Sequence, residues 1–394
     1  MKHLLPLALS CALSACLQAE NRPSGYEKKV LDPEFRAEGA CFADFNQDGK
    51  PDVVAGPWWF EGPAFSVRHE VRKPQSFKPE EYSDNFLTYT GDFNGDGFPD
   101  ILYMPFPGRE TYWCANPGKN GGEWKSHLAF PVTDNESPQL VDMNGDGRPD
   151  MLFNTGGQMG YASYDPAKPD QVWQFHPVSP KKDYHRFTHG IGAGDVNGDG
   201  RIDLIESNGW WEQPASPAAD GFWIFHEFAF AEGAAQMYVY DVDGDGKNDM
   251  ICSWHCHHYG LLWWKQQRDD KGAITWQRHV ILDPKPDLKS PDLRISQLHA
   301  MALVDINGDG LKDLVTGKRW WAHGSKGDVE PNNPAVIYWF ELKRGADGVQ
   351  FIPHLIDDNS GVGTQVEATD LNGDGIPDII VSNKKGSAVH LSKR

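Results

Sequence analysis

One nine-residue pattern, Asp-x-Asn/Asp-x-Asp-Gly-x-x-Asp, occurs seven times in the 394-residue chain, and no other feature restricts the fold as strongly. Its polar positions are Asp44, Asn46, Asp48 and Asp52; Asp92, Asn94, Asp96 and Asp100; Asp142, Asn144, Asp146 and Asp150; Asp195, Asn197, Asp199 and Asp203; Asp241, Asp243, Asp245 and Asp249; Asp305, Asn307, Asp309 and Asp313; and Asp370, Asn372, Asp374 and Asp378. Successive copies begin 46 to 65 residues apart, too far for one hairpin. A four-stranded propeller blade of about 40–50 residues plus its loops suits that spacing. Seven copies predict seven blades.

Other features keep step with the loops. A short apolar strand follows each one, such as Asp52-Val53-Val54 or Asp378-Ile379-Ile380-Val381, and an aromatic strand comes next, as at Trp58-Trp59, Trp210-Trp211 and Trp263-Trp264. A fourth strand carries a histidine at His69, His127, His176, His226, His279 and His354. The seventh copy of that strand is missing after the last loop, and Tyr26 to Leu31 at the N-terminus supplies it. The expected fold is all-β, a seven-bladed β-propeller closed by an N-terminal strand in the last blade, with residues 26–394 as one domain. The outer-strand histidines and the paired aromatics read as packing groups between strands and blades.

The N-terminus is set apart. Lys2 precedes the apolar run Leu4 to Leu13, and Leu13-Ser14-Ala15-Cys16 looks like a bacterial lipobox. Residues 1–15 are then a lipoprotein signal and 16–25 a linker, with an N-terminal lipid at Cys16 as the only membrane attachment; ordinary cleavage near Ala19, giving a secreted protein, is the alternative. Both readings export the chain, the first to the cell envelope. Cys41, Cys114, Cys252 and Cys256 remain in the mature chain, and their spacing fixes no disulfide pairing. A net charge of −19 argues against a nucleic-acid partner.

The loops, with carboxylates at alternate positions and glycine at the sixth, suit a hard cation that takes six to eight oxygens. Up to seven structural Ca²⁺ are expected, and seven such ions would offset most of the acidic excess. No EF-hand is implied, because the loops lead into apolar strands rather than flanking helices. In number and placement the loops resemble the calcium-binding repeats of FG-GAP and VCBS propellers, a resemblance that covers nearly the whole mature chain and implies the propeller fold.

If the motif is the turn between the two innermost strands, the other connections share the opposite, top face, where the long insertions fall. Six residues before each motif lie Glu38, Phe86, Glu136, His189, Ala235, His299 and Thr364, all expected at the top near the axis. Between the units of His189 and His299 comes the loop Trp254-His255-Cys256-His257-His258-Tyr259. His189, His299 and either His255 or His257, with Arg319, are the candidate ligand-binding or catalytic residues, and a transition metal could be held by these imidazoles. Glu136 would then be a substrate contact or outer-sphere group. The top-face histidines and Lys318-Arg319-Trp320-Trp321 are also similar to the propeller of aldos-2-ulose dehydratases, which eliminate water from keto sugars. In such chemistry a metal or Arg319 would stabilise an enediolate while a histidine removes a proton. Three functions follow: a calcium-stabilised propeller binding a small polar ligand, expected to be a carbohydrate; a metal-assisted lyase or dehydratase at the same funnel; and an envelope scaffold with a protein partner. No Gly-x-Ser-x-Gly, phosphate-binding or dinucleotide motif is present.

Overall fold

The computed structural model describes residues 23–216 and 221–394. The signal segment and Cys16 lie outside the described residues. Among those described, regular structure is β-strand, with a single 3-10 turn at Gly118–Asn120, and no helix is long and apolar enough to cross a membrane.

The strands assemble as antiparallel four-stranded units. Gln236–Tyr240 pairs with Asp249–Ser253, which pairs with Leu261–Arg268, which pairs with Ile274–Leu282. Sequence and burial explain the order. Every residue of Asp249–Ser253 is buried, so the segment is covered on both faces and reads as a nearly continuous apolar run. In Ile274–Leu282 the side chains are partly covered or exposed and only Leu282 is buried, as suits a strand with one wet face. The same order recurs in Ala40–Ala43, Asp52–Ala55, Trp58–Phe60 and Arg68–Glu70, and in Met301–Val304, Asp313–Gly317, Ile337–Gly345 and Gly348–Asp357. Long strand Lys125–Val141 serves two units at once, pairing with Arg109–Ala115 along one part and Asp150–Thr155 along another. At the chain ends, Gly25–Asp32 pairs antiparallel with Gly386–Lys393, setting Tyr26 opposite Ser392 and Lys28 opposite His390.

The first strands of successive units approach each other side by side. Ile191–Gly194 and Gln236–Tyr240 pair in parallel, and Gly192 permits it: a Cβ there would stand 2.2 Å from the Met237 carbonyl. First strands from several units surround one cavity of about 560 Å³ that includes Tyr89, Gln139, Tyr238, Met301 and Glu367. This all-β arrangement is consistent with a β-propeller. Apolar clusters fill the spaces between neighbouring units, as where Phe93, Trp113 and Trp173 pack together. Each of the six outer-strand histidines stacks on the aromatic ring opposite it, with centroids 4.1 to 4.8 Å apart. Cys41, Cys114, Cys252 and Cys256 are all buried free thiols.

Candidate functional site

The seven acidic loops share one geometry. In every copy the sixth-position glycine has φ between 81° and 88°, in the left-handed region that favours glycine. The first Asp accepts the amide of that glycine, as Asp92 does from Gly97 at 2.9 Å. The ninth-position Asp, buried at the start of the second strand, accepts the amide of the second loop residue at 2.8 to 3.0 Å in all seven loops. Burial pushes these ninth-position carboxyls upward against the pull of their amide hydrogen bonds, Asp100, Asp150, Asp203 and Asp313 to about 7. Clustered oxygen donors, some buried at a cost to their ionised form, fit a hard divalent ion. The loop at Asp241 differs. Its extra carboxylate, Asp243, is met by Lys265 Nζ, which also stands 3.3 Å from Asp245.

At the opposite ends of the first strands the side chains vary from unit to unit. His189, His257 and His299 meet there: ring centroids of His189 and His257 are 5.0 Å apart, those of His257 and His299 4.4 Å, and those of His189 and His299 6.3 Å. Each enters from a different unit. His189 and His299 precede first strands, and His257 hangs from the loop after Asp249–Ser253. That loop is pinned by Cys256 N–H donating to the Gly233 carbonyl at 2.8 Å and His258 N–H donating to the His255 carbonyl at 3.0 Å. Arg319 adjoins the cluster, 2% exposed, paired with Glu38 and 3.6 Å from Glu136, whose Oε2 is 3.5 Å from His189 Nε2. Thr364 N–H donates to the Glu38 carbonyl at 3.0 Å and Gln236 Nε2 to the Thr364 carbonyl at 3.0 Å, so distant parts of the chain join at this rim.

His255 stands apart. Its ring faces His258 at 4.4 Å and lies in a cavity wall rather than among the other three imidazoles. Lys318 also turns away, donating to Ser296 Oγ and the Glu330 carbonyl at 2.7 Å each. Two partners were missed in the sequence. Cys256 places its sulfur within 4.8 Å of ligand atoms of His189, His257 and His299, and Asp328 reaches His257 Nδ1 at 3.4 Å and His323 Nδ1 at 2.8 Å. The His255-Cys256-His257 run carried a signal for the thiol, since Cys and His are both metal ligands. Nothing local marked Asp328, which arrives on a long insertion.

The electrostatics follow from this packing. Burial alone would raise Glu136, yet the His189 and Arg319 cations hold it down to about 2. Burial likewise opposes charge on His189, and its neighbours Cys256 and Glu136 outweigh it, raising the imidazole to about 11. His257 is raised to about 9 against burial by Asp328 and Cys256. Burial, reinforced by the neighbouring cations, drives His299 far below the ordinary histidine value. Backbone strain gathers here as well. Among the described non-glycine residues with positive φ, Asn135, Gln297, Trp321 and Glu330 each lie within two residues of Glu136, His299, Arg319 or Asp328.

Beside the cluster opens a cavity of about 720 Å³. Tyr184, Phe187 and Phe225 give it aromatic faces, while Glu206, Glu227 and Glu232 supply carboxylates. Tyr184 OH donates to Glu206 at 2.5 Å, and Lys182 Nζ sits 3.8 Å from the Phe225 ring centre.

Comparison with known proteins gives a family of repeats and a fold. The FG-GAP-like repeat matches residues 92–153 and 305–381, spans that hold the loops beginning at Asp92, Asp142, Asp305 and Asp370. No protein with a curated description matches by sequence. Among solved structures, BBS1N in complex with ARL6DN is similar over 95% of this chain and 98% of that one, with 9% identity and a TM-score of 0.52. An Agrocybe aegerita lectin specific for non-reducing terminal N-acetylglucosamine covers 94% of this chain and 86% of its own, at 15% identity and a TM-score of 0.47. The rhamnogalacturonan lyase YesW covers 94% and 74%, at 12% identity and a TM-score of 0.46.

Proposed function

We propose that this FG-GAP-repeat chain is an exported, calcium-stabilised, seven-bladed β-propeller, residues 26–394, closed by its N-terminal strand and binding a small polar ligand at the His-rich face. The observation that supports it best is the junction of polar side chains from several units, His189, His257, His299 and Arg319, beside a roomy cavity. Its lining favours a neutral carbohydrate. Aromatic faces pack on the apolar faces of a sugar ring, and carboxylates accept hydrogen bonds from its hydroxyls, whereas an anionic ligand would meet Glu206, Glu227 and Glu232. Calcium would neutralise the loop carboxylates and tie the first two strands of each blade together. Export rests on the N-terminal segment, with lipid attachment at Cys16 as the route to the envelope.

Calorimetric titration with a panel of neutral mono- and oligosaccharides tests the reading. Binding with a Kd between about 1 µM and 1 mM is expected for at least one sugar. Glu227→Gln and Glu232→Gln together should weaken it at least about tenfold. A panel that shows no heat of binding at millimolar sugar would overturn the carbohydrate assignment.

A further inference from the structure

We infer that His189, Cys256, His257 and His299 form a closed four-ligand site for a borderline-soft divalent ion, zinc by its chemistry. The inference does not depend on what occupies the neighbouring cavity. His189 Nδ1 lies 2.7 Å from the Phe187 carbonyl, an acceptor, so that nitrogen carries the proton. His257 Nδ1 is buried 3.4 Å from the Asp328 carboxylate, outside hydrogen-bond geometry, and the negative charge there favours a proton on that nitrogen. As metal ligands both rings would be neutral with the free lone pair on Nε2, and these two atoms are 3.0 Å apart, with Glu136 Oε2 3.5 Å from the first. Two lone pairs at that distance repel unless a proton or a cation lies between them.

The surroundings favour a cation over a proton. His299 Nε2 is buried and has no hydrogen-bond partner, while its Nδ1 turns toward the Gln297 carbonyl at 3.5 Å. Cys256 is fully buried, and one ligand atom from each of the four residues lies within 4.8 Å of the other three. Three imidazole nitrogens and one sulfur thus converge, and a single shared proton can satisfy only two of them. Edges of about 3.3–3.6 Å are what tetrahedral Zn–N and Zn–S bonds of about 2.0–2.3 Å would produce. The thiolate selects against calcium and magnesium, which take oxygen ligands.

Asp328 fits the part of an outer-sphere carboxylate. It orients His257 and is itself fixed by His323, whose N–H and Nδ1 both lie against it, at 3.1 and 2.8 Å. Four protein ligands complete a tetrahedron and leave no position for substrate, so a metal-assisted elimination would require one of them to leave. The ion would instead brace the wall of the cavity that Cys256 and His257 share with Glu232.

The full chain, dialysed exhaustively against metal-free buffer without chelator, should retain about one zinc per molecule by plasma mass spectrometry. His189→Ala and Cys256→Ser should each reduce that content at least tenfold, His255→Ala should leave it unchanged, and Asp328→Asn should weaken affinity about 10–100-fold. Cobalt exchange gives a readout on the unaltered protein. Strong four-coordinate visible bands and a near-ultraviolet thiolate-to-cobalt band are expected, and Cys256→Ser should abolish the latter. Wild-type protein that takes up neither zinc nor cobalt, or cobalt bound with five- or six-coordinate bands and no thiolate band, would overturn the closed site.

Discussion

The two ends of the first strands are built on opposite plans. At one end, seven loops repeat the same oxygens, the same positive-φ glycine and the same buried aspartate. At the other, the equivalent positions vary from unit to unit, and Glu38, Glu136, His189 and His299 interact with one another or with Arg319 and His257. Repetition secures the scaffold, because each unit needs the same turn. Departure from repetition makes a site, because a cluster needs different groups arriving at one point.

The comparison can be broken most severely at the scaffold. Deleting Gly25 to Asp32 removes the partner of Gly386–Lys393 and should abolish cooperative unfolding in calorimetry; a folded monomer would show that this pairing is dispensable. Removing calcium comes next. If most loops hold an ion, each at about 100 times its Kd, each contributes about 2.7 kcal/mol, and excess chelator should lower Tm by on the order of 10–20 °C in one transition. An unchanged Tm after verified metal removal would mean that amide hydrogen bonds alone hold the loops.

At the other end, Arg319→Ala should cost about 3–5 kcal/mol in denaturant unfolding, because Glu38 is left buried without its partner. A cost below about 1 kcal/mol would mean that the rim is not held by this charge.

The smallest effect sharpens the contrast at the cavity between the first strands. Glu367 is pushed up to about 7 by burial, with the Gln365 hydrogen bond opposing. Its folded value exceeds the ordinary 4.5, so the unfolded chain gives up this proton first. Stability from this group is therefore full below about pH 4.5 and falls as pH rises through 7. Glu367→Gln should gain on the order of 1 kcal/mol over wild type at pH 8 and nothing at pH 4. Equal stability at both pH values would remove the claim.

What could be read beforehand follows the same division. The loop periodicity set the turns between first and second strands, and counting back six residues placed His189 and His299 at one rim, because identical strands start at equivalent heights. Counting could not choose between His255 and His257. Their side chains diverge where the loop turns back on the His255 carbonyl, and only the second points inward. Nor could it supply Asp328, since the insertion that carries it has no counterpart in other units. Cys256 was visible as a residue but not as a ligand, because its role depends on imidazoles 43 and 67 residues away in sequence.

The repeated end is expected to hold hard cations and the opposite end a borderline-soft one. Anomalous diffraction from crystals of the full chain, measured on both sides of the zinc absorption edge, tests it directly. One zinc peak is expected about 2.0–2.3 Å from the Nε2 atoms of His189, His257 and His299 and the sulfur of Cys256, disappearing below the edge, with calcium peaks in the acidic loops that persist. Zinc density in the acidic loops, or none among those four side chains, would contradict it.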